Sequence, residues 1–350
     1  MPVKIVTVSK SLPQYSRKTA DIIPYLETWL HAQEDRFVRK VFKIFEGAQV
    51  DERYSIMHPD EVFSKTSFEE RNQIYVRESI KLGKDVLEKA LSQAKWQPQD
   101  LDYIITVSCT GIMIPSLDAY LINQLNLKQD IVRLPVTEMG CVGGISGLIY
   151  AKNFLTANPN KKAAVIAVES PTATLQLDDF SMANMVSAAI FGDGAACVLL
   201  SSFEEDNGPE MIAESMYHFY NEEKMMGFEL TNNGMKMVLD IEVPETIAAH
   251  FDNIIHPFLA KNQFSIDDVQ HLIFHPGGKK IVKTVETLFQ NSGKNINDTK
   301  EVLRKYGNMS SATVLFVLER FLQKNLDQGD LGLMLSFGPG FTAQQILLRW

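Results

Sequence analysis

Two stretches decide how the chain is read: "GCVGGISGLIYAKNFL" (Gly140–Leu155) and "GNMSSATVLFVLERFL" (Gly307–Leu322). They have the same length, both start with glycine, both end in Phe-Leu, and they begin 167 positions apart. Two further pairs follow the same order. "QDLDYIITVSCTG" (99–111) and "DDVQHLIFHPGG" (267–278) each read as a helix end entering an apolar strand, with Asp100 and Asp268 separated by 168 positions. "FGDGAACVLLS" (191–201) resembles "FGPGFTAQQILL" (337–348). One such pair is what two generic α/β segments would give by chance; matched pairs in a constant order indicate an internal duplication. The chain therefore divides into two similar halves, 1–206 and 207–350, with "FEEDNGPEM" (203–211) as the turn between them. Strands and helices alternate within each half, which predicts an α/β layered core. No Gly/Ser linker separates the halves, so they share one compact unit.

The duplication gives meaning to a cysteine among glycines. In "EMGCVGGISG" (Glu138–Gly147), Cys141 falls where a buried helix begins, since Ile145, Leu148, Ile149 and Phe154 recur at helical spacing. Free N–H groups and the positive end of the helix dipole favour an anion there, and a thiolate is one. The alternative is an inert, buried thiol beside a close-packed turn. The equivalent position of the second half is Asn308, and the strand of that half ends at His275. If the halves pack about a pseudo-twofold axis, Cys141, His275 and Asn308 converge on one cleft. A histidine can activate the thiol. The Asn amide and the imidazole can together stabilise an enolate or oxyanion. The same trio serves cysteine proteases, where the Asn orients the His. Spacing alone leaves both roles open.

Composition narrows the partners. The chain has 350 residues, 45% of them hydrophobic, enough for a large core, and a net charge of −9. That charge argues against nucleic acid or an anionic membrane surface as the main partner. The N-terminal "MPVKIVTVSKSLPQ" is too short and polar for a signal-peptide core and reads as a first strand. No apolar run approaches the ~18 residues that span a bilayer. The three cysteines, Cys109, Cys141 and Cys197, form no CxxC pair, so neither a disulfide framework nor a metal site is expected, and a cytoplasmic setting fits. "HPGGKKIV" is not a P-loop and "FGDGAAC" is not a dinucleotide fingerprint. Asp193 reads as a turn cap. Residues 20–47 read as a helix with Leu26, Leu30, Phe37, Val41 and Ile44 on one face, and a second helix runs from the capping box Ser67–Glu70 to about Lys95. Lys40 and Lys43 lie on one side of the first, either as a solvated face or as a phosphate-binding pair.

Taken in order, "GCVGG", "FGDGAA", "HPGG", "YGNMSSATVLFVLE" and "FGPG" closely resemble the motifs of the type III polyketide synthases, the chalcone and stilbene synthase-like family. The resemblance covers the chain from about residue 35 and is weakest at 203–260. It implies a thiolase-like αβαβα sandwich with duplicated halves, and a homodimer. It also implies iterative decarboxylative condensation of malonyl-CoA onto an acyl-CoA starter, with CoA thioesters as substrates, no cofactor and no obligatory carrier protein. By position, Cys141 would hold the chain as a thioester while His275 and Asn308 bind the thioester carbonyl. Phe191 matches a gatekeeper aromatic, and Lys40 and Lys43 match residues that contact CoA phosphates. Gly338, Pro339 and Gly340 match a cavity-shaping loop, and Ile114 a residue that reaches into the partner's cavity.

The departures are equally specific. A third basic position of the CoA patch falls at Gly47, and the second gatekeeper aromatic falls at Met237, a flexible gap-filler. The cavity positions fall at Cys109, Pro171, Thr174, Ser187 and Ser310, of which only Thr174 and Ser310 keep the plant residue type. These changes point to a bacterial or algal-type member making an alkylresorcinol, phloroglucinol or pyrone from an aliphatic starter. The competing readings are a ketoacyl synthase III-like enzyme that condenses once, and a cysteine-dependent acyl-thioester hydrolase.

Overall fold

The structure is a computed structural model that describes residues 2–350. Its spine is a nine-stranded sheet. The first half contributes, in spatial order, Lys4–Ser11, Gly194–Ser201, Lys162–Glu169, Tyr103–Val107 and Val132–Val136. The second contributes Glu210–His218, Thr342–Arg349, Leu331–Gly338 and His271–Phe274. The two groups join where Lys4 pairs with Glu210. From that junction outward, each group has two antiparallel pairings followed by a parallel one. His271–Phe274 thus takes the place of Tyr103–Val107, and Thr342–Arg349 that of Gly194–Ser201, as the sequence pairs require. The third pair is equivalent only in its strand. "FGDG" follows the helix Met182–Ile190, whereas "FGPG" ends a strand and enters the turn of a hairpin.

The paired stretches of the opening form two helices, Gly143–Ala157 and Thr313–Leu322, each entered through a short 3-10 turn. Every residue from Thr313 to Glu319 is buried, and so are Gly143 to Ile149. Helices apolar on all faces belong inside, not on a surface. Both lie between the two strand groups and pack on each other. The outer face of the first group is covered by Phe68–Ala94, that of the second by Val243–Lys261 and Lys279–Phe289. The result is helix, sheet, helix, sheet, helix. The long outer helix starts as predicted. Ser67 Oγ accepts the Glu70 N–H at 3.1 Å and the Glu70 carboxylate accepts the Ser67 N–H at 2.8 Å. It ends at Lys95 in the left-handed conformation.

Residues 20–47 differ from expectation. They form two helices, Thr19–Trp29 and Asp35–Gly47, broken at Leu30. Gln33 N–H closes a turn on Leu30 C=O at 2.9 Å. Leu26, Leu30 and Val41 are all fully buried, so the turn keeps both helices against one core and the apolar spacing runs through it unchanged. The polar run His31–Asp35, ending in two acids at a helix start, was the available signal.

The turn at Gly307 carries the geometry of the site. Its φ of 71° and ψ of −167° lie in a region essentially reserved for glycine. A Cβ there would stand 2.7 Å from Ile190 C=O. Gly307→Ala is expected to cost about 1–3 kcal/mol from backbone strain alone. Urea unfolding checks this: the midpoint should fall with an unchanged slope. A loss under about 0.5 kcal/mol, the scatter of neutral surface changes, would show that the turn is not so constrained.

Candidate active site

Cys141 sits in the 3-10 turn Gly140–Val142, directly before its helix. The hairpin turn of the second half packs over it, and Ser336 Oγ–H donates to Cys141 C=O at 2.8 Å. His275 follows the end of its strand, and its N–H donates to Leu335 C=O at 3.0 Å. Asn308 follows Gly307, and its backbone is stitched to the first half. Its N–H donates to Ile190 C=O at 2.8 Å and Gly192 N–H donates to its C=O at 3.1 Å. The two halves are therefore pinned together on either side of Phe191.

Cys141, His275 and Asn308 line one cavity of about 650 Å³ together with Cys109, Ser310, Phe191, Met237 and Pro339. Asn308 is held in one orientation. Its Oδ1 accepts Ser310 N–H at 2.8 Å and Thr313 Oγ1–H at 3.3 Å, and its Nδ2 donates to Gly277 C=O at 3.2 Å. A backbone N–H can only donate, so the oxygen must face Ser310, and the amide's second N–H is left for another acceptor. Asn308 makes no hydrogen bond to His275. Both ring nitrogens of His275 are buried without a partner among the described residues. Of the two roles the spacing left open, the geometry has the feature of the donor pair and lacks that of the orienting Asn.

Burial opposes the charged forms. It pushes the Cys141 thiol up to about 12 and the His275 imidazole down to about 3. Ser310, Asn308 and the local backbone pull the thiol the other way, but less. The low thiol pKa expected from the helix start is therefore not supplied by that start. Neither ring nitrogen of His275 hydrogen-bonds the Cys141 sulfur among the described residues, and the imidazole shares the cavity with the thiol. Cys109 and Cys197 are pushed up as well, chiefly by burial.

Beneath the cavity lies a carboxylate the sequence did not single out. Glu169, at a strand end, accepts Cys109 N–H at 3.1 Å and Thr110 Oγ1–H at 2.7 Å, and also the Ser311 hydroxyl. Ser310 Oγ lies 3.3 Å from Cys109 Sγ and 3.7 Å from Cys141 Sγ. A polar chain thus runs from the buried acid to the Cys141 sulfur. Asp193 is fully buried and does more than cap a turn. It accepts Ile56 N–H at 2.8 Å, Thr172 N–H at 3.0 Å and the Thr172 hydroxyl.

Other expected residues fall around this centre. Phe191 and Met237 separate the catalytic cavity from a second one of about 740 Å³, and Pro171 borders both. Thr174 and Ser187 line that second cavity, not the first. Lys40 and Lys43 line the mouth of a third space of about 1290 Å³, which shares Ile190, Leu239, Gly277 and Ile281 with the catalytic cavity. Of the loop, Pro339 lines the catalytic cavity while Gly338 and Gly340 do not; Gly338 ends a strand against the Val142 backbone. Ile114 lines none of the three spaces and is 91% exposed. Phe228 was missed because "NEEKMMGFELTNNG" carries no motif. It pairs across a hairpin with Met237 and puts an aromatic into the catalytic cavity.

Comparison with known proteins identifies the family. The model of the chalcone and stilbene synthases, N-terminal domain, matches residues 2–203, and that of the C-terminal domain matches 211–350. A 1,3,6,8-tetrahydroxynaphthalene synthase of Streptomyces peucetius subsp. caesius is 31% identical, covering 99% of this chain and 93% of the relative. A phloroglucinol synthase of Pseudomonas fluorescens is 29% identical over 97% of this chain and 96% of its own. The crystal structure of the Streptomyces coelicolor 1,3,6,8-tetrahydroxynaphthalene synthase, a bacterial type III polyketide synthase, superposes with a TM-score of 0.92 at 27% identity, covering 99% of both chains. With both family domains matched end to end and the motifs in their order, the chain belongs to the chalcone and stilbene synthases, the type III polyketide synthases.

Proposed function

We propose that the protein extends an acyl-CoA starter by repeated decarboxylative condensation with malonyl-CoA, using Cys141 as the acyl carrier and His275 and Asn308 as the donor pair. The observation that carries this is the fixed amide of Asn308, with its oxygen engaged by Ser310 and a second N–H left over in the cavity that His275 also lines. In the loading step Cys141 Sγ attacks the starter carbonyl, the carbon–sulfur bond to CoA breaks, and CoA leaves as a thiol. Malonyl-CoA then loses carbon dioxide. The electron pair of the broken carbon–carbon bond moves onto the thioester oxygen, which the two donors hold. The enolate carbon attacks the Cys141 thioester, a new carbon–carbon bond forms, and the thiolate is released. The lengthened CoA thioester reloads Cys141 and the cycle repeats. No cofactor is consumed, because decarboxylation drives each step.

The second cavity favours a flexible aliphatic starter. Ile22, Met57, Val62, Phe63 and Leu175 line it, and a methionine stands at the gate where the plant pattern has an aromatic. Closure to an alkylresorcinol, phloroglucinol or pyrone fits such chains. Ile114 and the half-exposed Ile112 form an apolar loop that a second copy would cover in a homodimer. Among the described residues no helix is long and apolar enough to cross a membrane. Free cysteines fit a cytoplasmic enzyme that takes CoA thioesters directly, without a carrier protein.

Purified protein incubated with malonyl-CoA and a panel of acyl-CoAs should give products lengthened by more than one two-carbon unit, read by mass spectrometry. Release of CoA with no new carbon–carbon bond would support the hydrolase instead, and a single extension the one-step condensing enzyme.

Hexanoyl-CoA or a longer starter is expected to outcompete 4-coumaroyl-CoA in kcat/KM. A higher value for the coumaroyl thioester would remove the case for an aliphatic substrate.

Labelling by iodoacetamide should favour Cys141 over Cys109 and Cys197. In His275→Ala, the thiol loses its proton acceptor and its labelling should move to alkaline pH, toward the value burial imposes. Equal labelling of wild type and His275→Ala at pH 7 would show that the imidazole does not activate the thiol.

Acid should destabilise the fold through His275. Its folded pKa is depressed from 6.5 to about 3, so the unfolded chain binds the extra proton between those values. Its contribution is fully present above pH 6.5 and is lost as pH falls toward 3. His275→Gln should therefore lose less stability than wild type between pH 7 and pH 4, measured by urea midpoints. A variant as acid-sensitive as the parent would contradict the burial of a neutral ring.

A further inference from the structure

At the mouth of the lysine-lined space, the helix Asp35–Gly47 presents Lys40, Lys43 and Gly47 on one face, three and four residues apart. The family pattern places a third basic residue at position 47, and this chain has none there. The structure fills the gap from elsewhere. A Cβ built on Gly47 would meet a single neighbour, the Lys279 ammonium, at 3.8 Å. Lys279 is the first residue of the helix Lys279–Phe289, which follows His275 by a short turn in the opposite half of the chain. Lys280 lines the same space. All four lysines are exposed, and none forms an ion pair with a carboxylate among the described residues. Among the described residues the only acid lining the space is Asp240, whose carboxylate accepts Glu242 N–H at 2.8 Å.

We infer that Lys279, assisted by Lys280, supplies the third cation of the phosphate-binding mouth, so that the basic residue absent from position 47 has been replaced across the tunnel from the other half of the molecule. This rests on the proposal that CoA thioesters are the substrates, and it names which groups read their phosphates. The geometry suits a pantetheine arm. The lysine-lined space abuts the catalytic cavity, since Ile190, Leu239, Gly277 and Ile281 line both, so phosphates held at the lysines place the pantetheine arm on the side that faces Cys141. Moving the cation has a consequence for the site. Lys279 belongs to the segment that carries His275 and Gly277, so phosphate binding acts directly on the strand-to-helix turn beside the imidazole, not on the outer helix alone. Four ammonium groups around a space with one carboxylate repel one another, and a polyanion relieves that repulsion.

The test compares malonyl-CoA with malonyl-N-acetylcysteamine, which has the thioester but no phosphates, in wild type, Lys279→Ala, Lys279→Ala/Lys280→Ala and Lys279→Ala/Gly47→Lys. Lys279→Ala should raise the KM for malonyl-CoA about tenfold relative to that for the truncated thioester, the size of one lost charge-assisted contact. The difference should shrink as salt is raised. Gly47→Lys should restore the ratio, because the space at position 47 is open once Lys279 is shortened and its backbone is helical. Titration with CoA itself, which needs no chemistry, should rank the four proteins in the same order. A KM ratio and a CoA affinity that are the same in Lys279→Ala as in wild type would overturn the inference. A wild type that binds CoA but condenses nothing would instead overturn the proposed reaction, and the CoA titration would still decide the role of Lys279.

Discussion

The active site depends on how closely two buried helices approach at their starts. A Cβ on Gly144 would lie 2.3 Å from Ser311 C=O, so the first turn of one helix touches the entry turn of the other with no side chain between them. Cys141 precedes one of these turns and Asn308 the other. That contact brings a thiol from the first half and a carboxamide from the second into one cavity. His275 joins them because its strand is the second half's equivalent of Tyr103–Val107, and so ends at the same edge of the layered core. The duplicated fold thus supplies one cleft with two unlike chemistries, a thiol from one copy and an imidazole and a carboxamide from the other.

Burial sets the electrostatics of that cleft. A buried imidazole with both nitrogens unpartnered is costly unless something arrives to use them. A thioester oxygen is such a group. The Asn308 amide differs, since its oxygen is already engaged and its position is set before any substrate binds. Preorganised donors of this kind stabilise developing charge without reorganising. The same burial that favours a neutral imidazole and a neutral thiol means that charge appears in the cavity only as a pair or as an enolate held by donors.

The sequence made the fold legible where its repeats were strong. The matched glycine-led helices, the strand ending at His275 and the capping box at Ser67 all stand where the pattern put them. It misled where spacing alone was the signal. The apolar positions from Leu26 to Ile44 are consistent with one helix, yet a turn at Leu30 leaves their burial unchanged. Residues whose role arises from contacts across the fold were not legible at all. Glu169 is one acid at a strand end until Thr110, Cys109 and Ser311 gather around it. Lys279 is an ordinary surface lysine until the fold sets it over Gly47. The thiol pKa was misjudged because a helix start is visible in sequence and burial is not.

The central claim is that enolate formation belongs to the donor pair and chain carriage to the thiol. Carbon dioxide release from malonyl-CoA, followed beside intact-mass detection of the acyl-enzyme, separates the two most directly. Cys141→Ala should still release carbon dioxide while forming no acyl-enzyme and no extended product. Asn308→Ala should retain an acyl group on Cys141 but lose decarboxylation by about 10²–10³, the cost of one oxyanion donor in a comparable acyl transfer. If Asn308→Ala decarboxylates at the wild-type rate, the fixed amide is a structural brace and the donor-pair mechanism is wrong.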